Sequence, residues 1–83
     1  MLPNAAVMVE FTIEPFVEGA PGPHVTAAVA AVEALGATVE FGPFGTTLRT
    51  TAGEAGRVVA ALLDVAYANG ATHVSIHTGP DGE

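Results

Sequence analysis

The spacing of hydrophobic residues changes along this chain from every second residue to helical spacing, and it does so twice. Within residues 5–14, an apolar set (Val7, Val9, Phe11 and Ile13) alternates with a mostly polar set (Met8, Glu10, Thr12 and Glu14), and residues 72–78 alternate in a similar way. A period of two is typical of a strand with one buried face. Apolar residues recur at helical spacing over about residues 24–35 and again from about residue 52 to residue 68. Such a chain must cover one face of a sheet with two helices.

Residues that favour turns and helix ends divide these segments. Pro15 ends the first strand, and Gly36 and Gly70 follow the two helices as left-handed stops. Thr51 and Glu54 have the spacing of a capping box, in which each side chain bonds a free backbone group at the start of the second helix. The first helix is expected to bury a stripe that ends at Leu35, and the second a stripe from Ala55 to Ala66.

Two short strands, residues 38–41 and 46–50, lie between the helices and are joined by a Gly-Pro-Phe-Gly connection that predicts a hairpin. Both helices are followed by Gly-Ala-Thr, at residues 36–38 and 70–72, which indicates two related halves. The order predicts an α+β fold, a ferredoxin-like βαββαβ sandwich. Its antiparallel four-stranded sheet has both helices on one face and the first and third strands in the middle. We expect a single domain over residues 1–83, with an ordered core at about 5–78 and a polar tail from Gly79.

Charge and composition exclude several classes of partner. Only 13% of the 83 residues are charged, the net charge is −7, and Arg49 and Arg57 are the only strong bases. Nucleic acids and anionic membranes need more cations than this. Because 49% of the residues are hydrophobic, part of the surface is expected to be covered by another subunit, in a homodimer or homotetramer. No leader or long apolar segment is visible, so a cytoplasmic location is expected.

Catalytic and metal sites are not expected. The chain has no cysteine, and Ser75 is its only serine. Glu10 and Glu14 are too far apart on one strand to act as a carboxylate dyad. His73 and His77 are separated by about 13 Å along a strand, too far to bind one ion. His24 and His77 are interpreted as surface residues. The expectation is therefore a protein that is not an enzyme and has no resident cofactor.

The sheet face opposite the helices, here called the open face, is the first candidate site. The alternation places one set against the helices: Val9, Phe11, Val39, Phe41, Leu48, Val74 and Ile76. It places the other set on the open face: Met8, Glu10, Thr12, Glu14, Thr38, Glu40, Thr47, Arg49, His73, Ser75 and His77. This face is either a solvated surface, a surface between subunits, or a pocket that oligomerisation encloses. Glu10 belongs to a central strand and is the acid with least access to water.

The turn from Gly42 to Thr47 is the second candidate. It is either an ordinary hairpin connection or a ligand-binding loop, in which the two glycines let the backbone approach a small molecule closely. Thr46 and Thr47 present hydroxyl groups on opposite sides of the strand.

Three segments together resemble a known family. They are the first strand with Pro15, the Gly-rich loop after it, and residues 39–48, followed by the closing strand. The chain resembles the small thiamine-binding protein family, the YkoF-like group, from about Val7 to Thr78. The most specific part is Gly42-Pro43-x-x-Thr46-Thr47. The resemblance implies a ferredoxin-like fold, homodimers or homotetramers built through the sheets, and binding of thiamine or its hydroxymethylpyrimidine moiety.

The matching positions imply a ligand site at Glu10, Gly42, Pro43, Thr46 and Thr47. A carboxylate at Glu10 would accept a hydrogen bond from the exocyclic amine of the pyrimidine and pair with a ring nitrogen. Phe44 or Phe16 would supply an apolar or stacking wall.

One position departs from the family pattern. Arg49-Thr50 stands where members often have an acid followed by glycine, which brings a cation near the site unless it pairs with Glu10 or Glu40.

Three functions stay open at this point: a thiamine or pyrimidine carrier, an ACT-like regulatory module for another metabolite, and a structural oligomerisation domain.

Overall fold

The predicted fold is confirmed by a computed structural model, which describes residues 1–15, 22–42 and 45–82. The elements are β1 (Ala6–Glu14), α1 (Pro23–Ala34), β2 (Thr38–Phe41), β3 (Thr46–Thr51), α2 (Ala52–Ala68) and β4 (His73–Pro80). The strands form one antiparallel sheet in the order β2-β3-β1-β4, so β1 and β3 are central as expected. This is a ferredoxin-like α+β arrangement.

The core lies between the sheet and the two helices. Along β1 the burial alternates, so that Val9 and Phe11 are buried while Glu10 between them is exposed. The α2 helix contributes residues four positions apart, Val58, Leu62 and Ala66, none of which is exposed. Because consecutive positions of this set lie one turn apart, they form a single stripe against the sheet. Leu48 of β3 is also fully buried in this cluster.

Two residues expected in the core lie outside it. Leu35 follows the last residue of α1 and is 38% exposed, because the chain turns away at Gly36 with a φ of 91°. Phe41 is 67% exposed although its parity is right, because it is the last residue of a short edge strand. The periodicity predicted correctly which side of its element each residue lies on. It did not predict whether the opposing layer of helices or strands extends far enough to cover the side chain.

The end of β4 also differs from the expectation. Gly79 and Pro80 pair with Met8 and Val7, and the Asp81 N–H donates to the Ala6 carbonyl at 3.1 Å. The predicted polar tail from Gly79 is therefore wrong, because the first residues of β1 still offer backbone groups to pair.

The predicted capping box is wrong as well. Thr51 does precede α2, but its side chain makes no capping hydrogen bond. Thr51 is also the last residue of β3, where it pairs with Ala6 of β1. The left-handed stops are confirmed, since Gly36 and Gly70 have φ angles of 91° and 102°.

The prediction that His24 is a surface residue is wrong. Its side chain is buried at the start of α1, and Nε2 lies 2.7 Å from the Pro15 carbonyl oxygen, to which it donates. An imidazole so placed joins the end of β1 to the first turn of α1. In the part of the chain that the structure describes, no helix has the length and apolar character needed to cross a membrane.

Candidate functional site

One row of polar side chains crosses the whole open face. The strand register pairs Glu10 of β1 with Thr47 on one side and with His77 on the other. Thr47 pairs in turn with Glu40 of β2. Directly opposed residues in antiparallel strands have their Cβ atoms about 4.5–5.5 Å apart, so these side chains are neighbours. The row places a carboxylate between a hydroxyl group and an imidazole at the centre of the sheet.

A concavity of about 420 Å³ lies over this row. Its polar side chains on the open face come from β1, β3 and β4. They belong to the row of Glu10 and to the next row of the same face, in which Thr12 pairs with Ser75. The residues around it are Glu10, Phe11, Thr12, Gly42, Gly45, Thr46, Thr47, Ser75, Ile76 and His77. The volume lies within the roughly 300–1,000 Å³ that is typical of small-molecule sites.

The structure brings together four of the six predicted site residues. Glu10, Gly42, Thr46 and Thr47 all border the concavity. Thr47 shares the row of Glu10, whereas Thr46 pairs with Phe11 and therefore belongs by alternation to the opposite face. Pro43 and Phe44 lie outside the described residues, as does Phe16.

The two glycines of the turn lie close to neighbouring atoms of the hairpin and of β1. The Gly42 N–H donates to the Gly45 carbonyl at 2.8 Å, and a Cβ on Gly42 would lie 3.1 Å from that oxygen. A Cβ on Gly45 would approach the Phe11 carbonyl oxygen and Cγ2 of Thr12, both at 3.4 Å. The glycines thus let the turn pack closely on itself and on β1, at the mouth of the concavity.

Arg49 is engaged away from the centre of the row. Its guanidinium forms an ion pair with Glu40, and Nε lies 3.3 Å from the carboxylate of Asp81. The hydrogen bond and charge of Glu40, followed by the charge of Asp81, raise the pKa of Arg49 above its ordinary value. Among the described residues, no basic side chain forms an ion pair with the Glu10 carboxylate. Of the two predicted partners of Arg49, Glu40 is therefore the one it contacts.

Carboxylates outnumber fixed cations on this side of the sheet. Glu10, Glu14, Glu40 and Asp81 face a single guanidinium, that of Arg49. The field over the concavity therefore favours a cation over an anion. In the single chain Glu10 is exposed whereas Glu54 and Asp81 are only partly exposed, so the expectation that Glu10 is the acid with least access to water is wrong.

Six residues around the concavity were not in the predicted site: Phe11, Thr12, Gly45, Ser75, Ile76 and His77. Three of them belong to the polar set that alternation assigned to the open face. What the sequence lacked was the register, since parity alone does not say which residue of β4 lies beside Glu10. His77 is exposed as expected, but it borders the candidate site.

No family model matches the chain, and no curated protein matches it in sequence. Within the described ranges, no cluster of three or more His, Cys, Asp or Glu side chains is arranged to hold a metal ion.

Proposed function

We propose that this protein binds a small aminopyrimidine, cationic thiamine or its hydroxymethylpyrimidine moiety, in the concavity of the open face. The observation that carries the proposal is the position of Glu10 between Thr47 and His77 in one cross-strand row. A carboxylate there can accept from the exocyclic amine, and from a ring nitrogen when that nitrogen is protonated, while neighbouring hydroxyl groups complete the polar contacts. We infer a binding protein and not an enzyme.

The charge of the open face supports a cationic ligand. Thiamine carries a permanent thiazolium charge, and on this side of the sheet the described carboxylates outnumber the fixed cations. Arg49, which departs from the pattern of the thiamine-binding family, is held by Glu40 and Asp81. The charge of Arg49 is therefore largely balanced by its own partners, and Glu10 remains the acceptor for the ligand.

In this proposal, a second copy of the chain encloses the ligand. A small-molecule site normally buries most of its ligand, yet Glu10 is exposed in the single chain. A homodimer or homotetramer assembled through the open faces would cover the concavity and remove Glu10 from bulk water. Burial of this kind strengthens the attraction between a carboxylate and a cationic ligand.

The decisive experiment is calorimetry with thiamine on the wild type and on two matched variants. Glu10→Gln removes the charge within the concavity, and Glu14→Gln removes the same charge from the same strand face outside it. We expect Glu10→Gln to weaken binding by about tenfold or more, as loss of a charge-assisted hydrogen bond implies. Glu14→Gln is expected to change the affinity by less than about twofold.

Two results would contradict the proposal. Absence of binding by the wild type at millimolar thiamine removes the ligand assignment, and equal affinity of the two variants removes Glu10 from the site. Thermal shifts with thiamine, its phosphates and a panel of amino acids separate the alternatives, because a ligand that binds the folded state raises the melting temperature. A shift with an amino acid alone would favour an ACT-like regulatory module.

A further inference from the structure

The two histidines of β4 occupy equivalent positions in different surroundings. His77 pairs across the strands with Glu10, and His73 pairs in the same way with Glu14. Both imidazoles are exposed, and both lie on the open face. Only the first pair borders the concavity. The chain therefore contains one histidine–glutamate pair at the candidate site and a second pair of the same kind outside it.

We propose that His77 couples cation binding at Glu10 to the release of a proton. This inference rests on the proposed function and adds a specificity-determining residue to it. A protonated His77 is a cation beside the carboxylate that the ligand needs, so the two positive charges compete for Glu10. A neutral imidazole leaves the carboxylate available and offers the ligand one donor, one acceptor and an aromatic face.

The strand register supports direct competition by placing His77 opposite Glu10, although the two side chains form no ion pair in the single chain. Opposed side chains of antiparallel strands are close enough for charges to interact, and the interaction strengthens when a ligand or a second subunit excludes water. Binding linkage is reciprocal. If protonation of His77 weakens binding of the cation, binding of the cation must favour neutral His77 by the same factor.

The other charged groups on this face are paired elsewhere or lie in other rows, so they do not compete with a ligand for Glu10 as His77 does. They are Glu14 on β1, Glu40 on β2, Arg49 on β3, His73 on β4 and Asp81 beyond it. Arg49 is paired with Glu40 and Asp81, and Glu14 and His73 lie opposite each other one row beyond Thr12 and Ser75. His77 is thus the titratable group directly opposed to Glu10.

The test is thiamine affinity by calorimetry between pH 5.5 and pH 8.0, a range that spans the titration of an ordinary imidazole and lies above that of an ordinary carboxylate. We expect wild-type affinity to fall by about three- to tenfold at the acidic end. His77→Gln should reduce this dependence to less than about twofold. His73→Gln, the matched control, should keep the wild-type dependence. A wild type without pH dependence, or a His77→Gln protein that retains it, overturns the proposal.

A second measurement needs no ligand and separates this proposal from the proposed function. The protonated fraction of each imidazole at pH 6.5 is measured by NMR in the wild type, Glu10→Gln and Glu14→Gln. Glu10→Gln should lower the fraction for His77 only, and Glu14→Gln for His73 only. If thiamine fails to bind at any pH but this selectivity is found, the ligand assignment fails and the pairing stands. If Glu10→Gln leaves His77 unchanged, the pairing itself is refuted.

Discussion

At the scale of single residues, Gly22 leaves room for the imidazole of His24 at the start of α1. Gly22 precedes α1 with ordinary extended backbone angles, so no special conformation requires glycine there. What requires it is the imidazole of His24, since a Cβ on Gly22 would lie 2.7 Å from Cε1 of that ring. The ring is buried and bonded to the Pro15 carbonyl, so it has little freedom to move away.

We therefore expect Gly22→Ala to destabilise the protein by about 1–2 kcal/mol, as overpacking of a buried site does. Urea unfolding measures the change. Gly56→Ala is the control: Gly56 lies in α2 with open space around it, and alanine there should stabilise by about 0.5–1 kcal/mol.

A double variant identifies the cause of the Gly22 effect. In a His24→Ala background the ring is gone, so Gly22→Ala should cost clearly less than in the wild type. An unchanged cost would mean that alanine is simply poor at the position before a helix, and that the contact with His24 is unimportant.

At the scale of elements, the start of α2 is stabilised by hydrogen bonds to a distant segment of the chain and not by the capping box that the local sequence predicts. Thr51 and Glu54 have the spacing of a capping box, yet the Thr51 side chain does not cap the helix. The N-terminal segment instead meets α2, where the Gly53 N–H donates to the Pro3 carbonyl at 2.8 Å and the Ala52 N–H to Ala5 at 2.9 Å. These bonds satisfy backbone donors that a cap would otherwise serve.

Thr51→Ala is consequently expected to change the free energy of unfolding by less than about 0.5 kcal/mol, below the roughly 1 kcal/mol typical of a lost cap. Chemical denaturation measures this difference. A loss of 1 kcal/mol or more would indicate that the Thr51 hydroxyl caps α2 in solution.

At the scale of the whole molecule, the open face is the side of the sheet that the two helices leave uncovered. The helices cover one side of the sheet, and the other side presents Glu10, Thr12, Ser75 and their neighbours to solvent in the single chain. With 83 residues, such a domain has a modest core. A second copy on the open face would add buried area and complete the concavity, as the proposed function requires.

Sedimentation measurements test this assembly. We expect the wild type to have the mass of a dimer or tetramer and Ser75→Arg, which adds a long cation to the open face, to shift toward the monomer. Ala30→Arg is the matched control, because Ala30 is an exposed residue of α1 in the other layer. A monomeric wild type, or equal dissociation by both variants, would argue against assembly through the open face.

Local patterns determined the elements and their faces. The alternation over Val7 to Glu14 and the stripe at Val58, Leu62 and Ala66 are properties of neighbouring residues, so they are readable without the fold. The strand order then followed from the rules for short, right-handed connections. For the same reason the sequence alone indicated the open face, Glu10 as its central acid, and the glycine turn beside it.

Only the tertiary structure decided which of those residues meet. Glu10 lies 67 positions from His77 and 37 from Thr47, and no local pattern sets a register across such separations. The partners of Arg49, the burial of His24 and the extension of β4 to Pro80 also depend on residues outside the element concerned. Hydrophobic periodicity determines which face of an element a residue lies on, because it depends only on residues within that element. Register and pairing choose the neighbours on that face, and they exist only when separate elements meet.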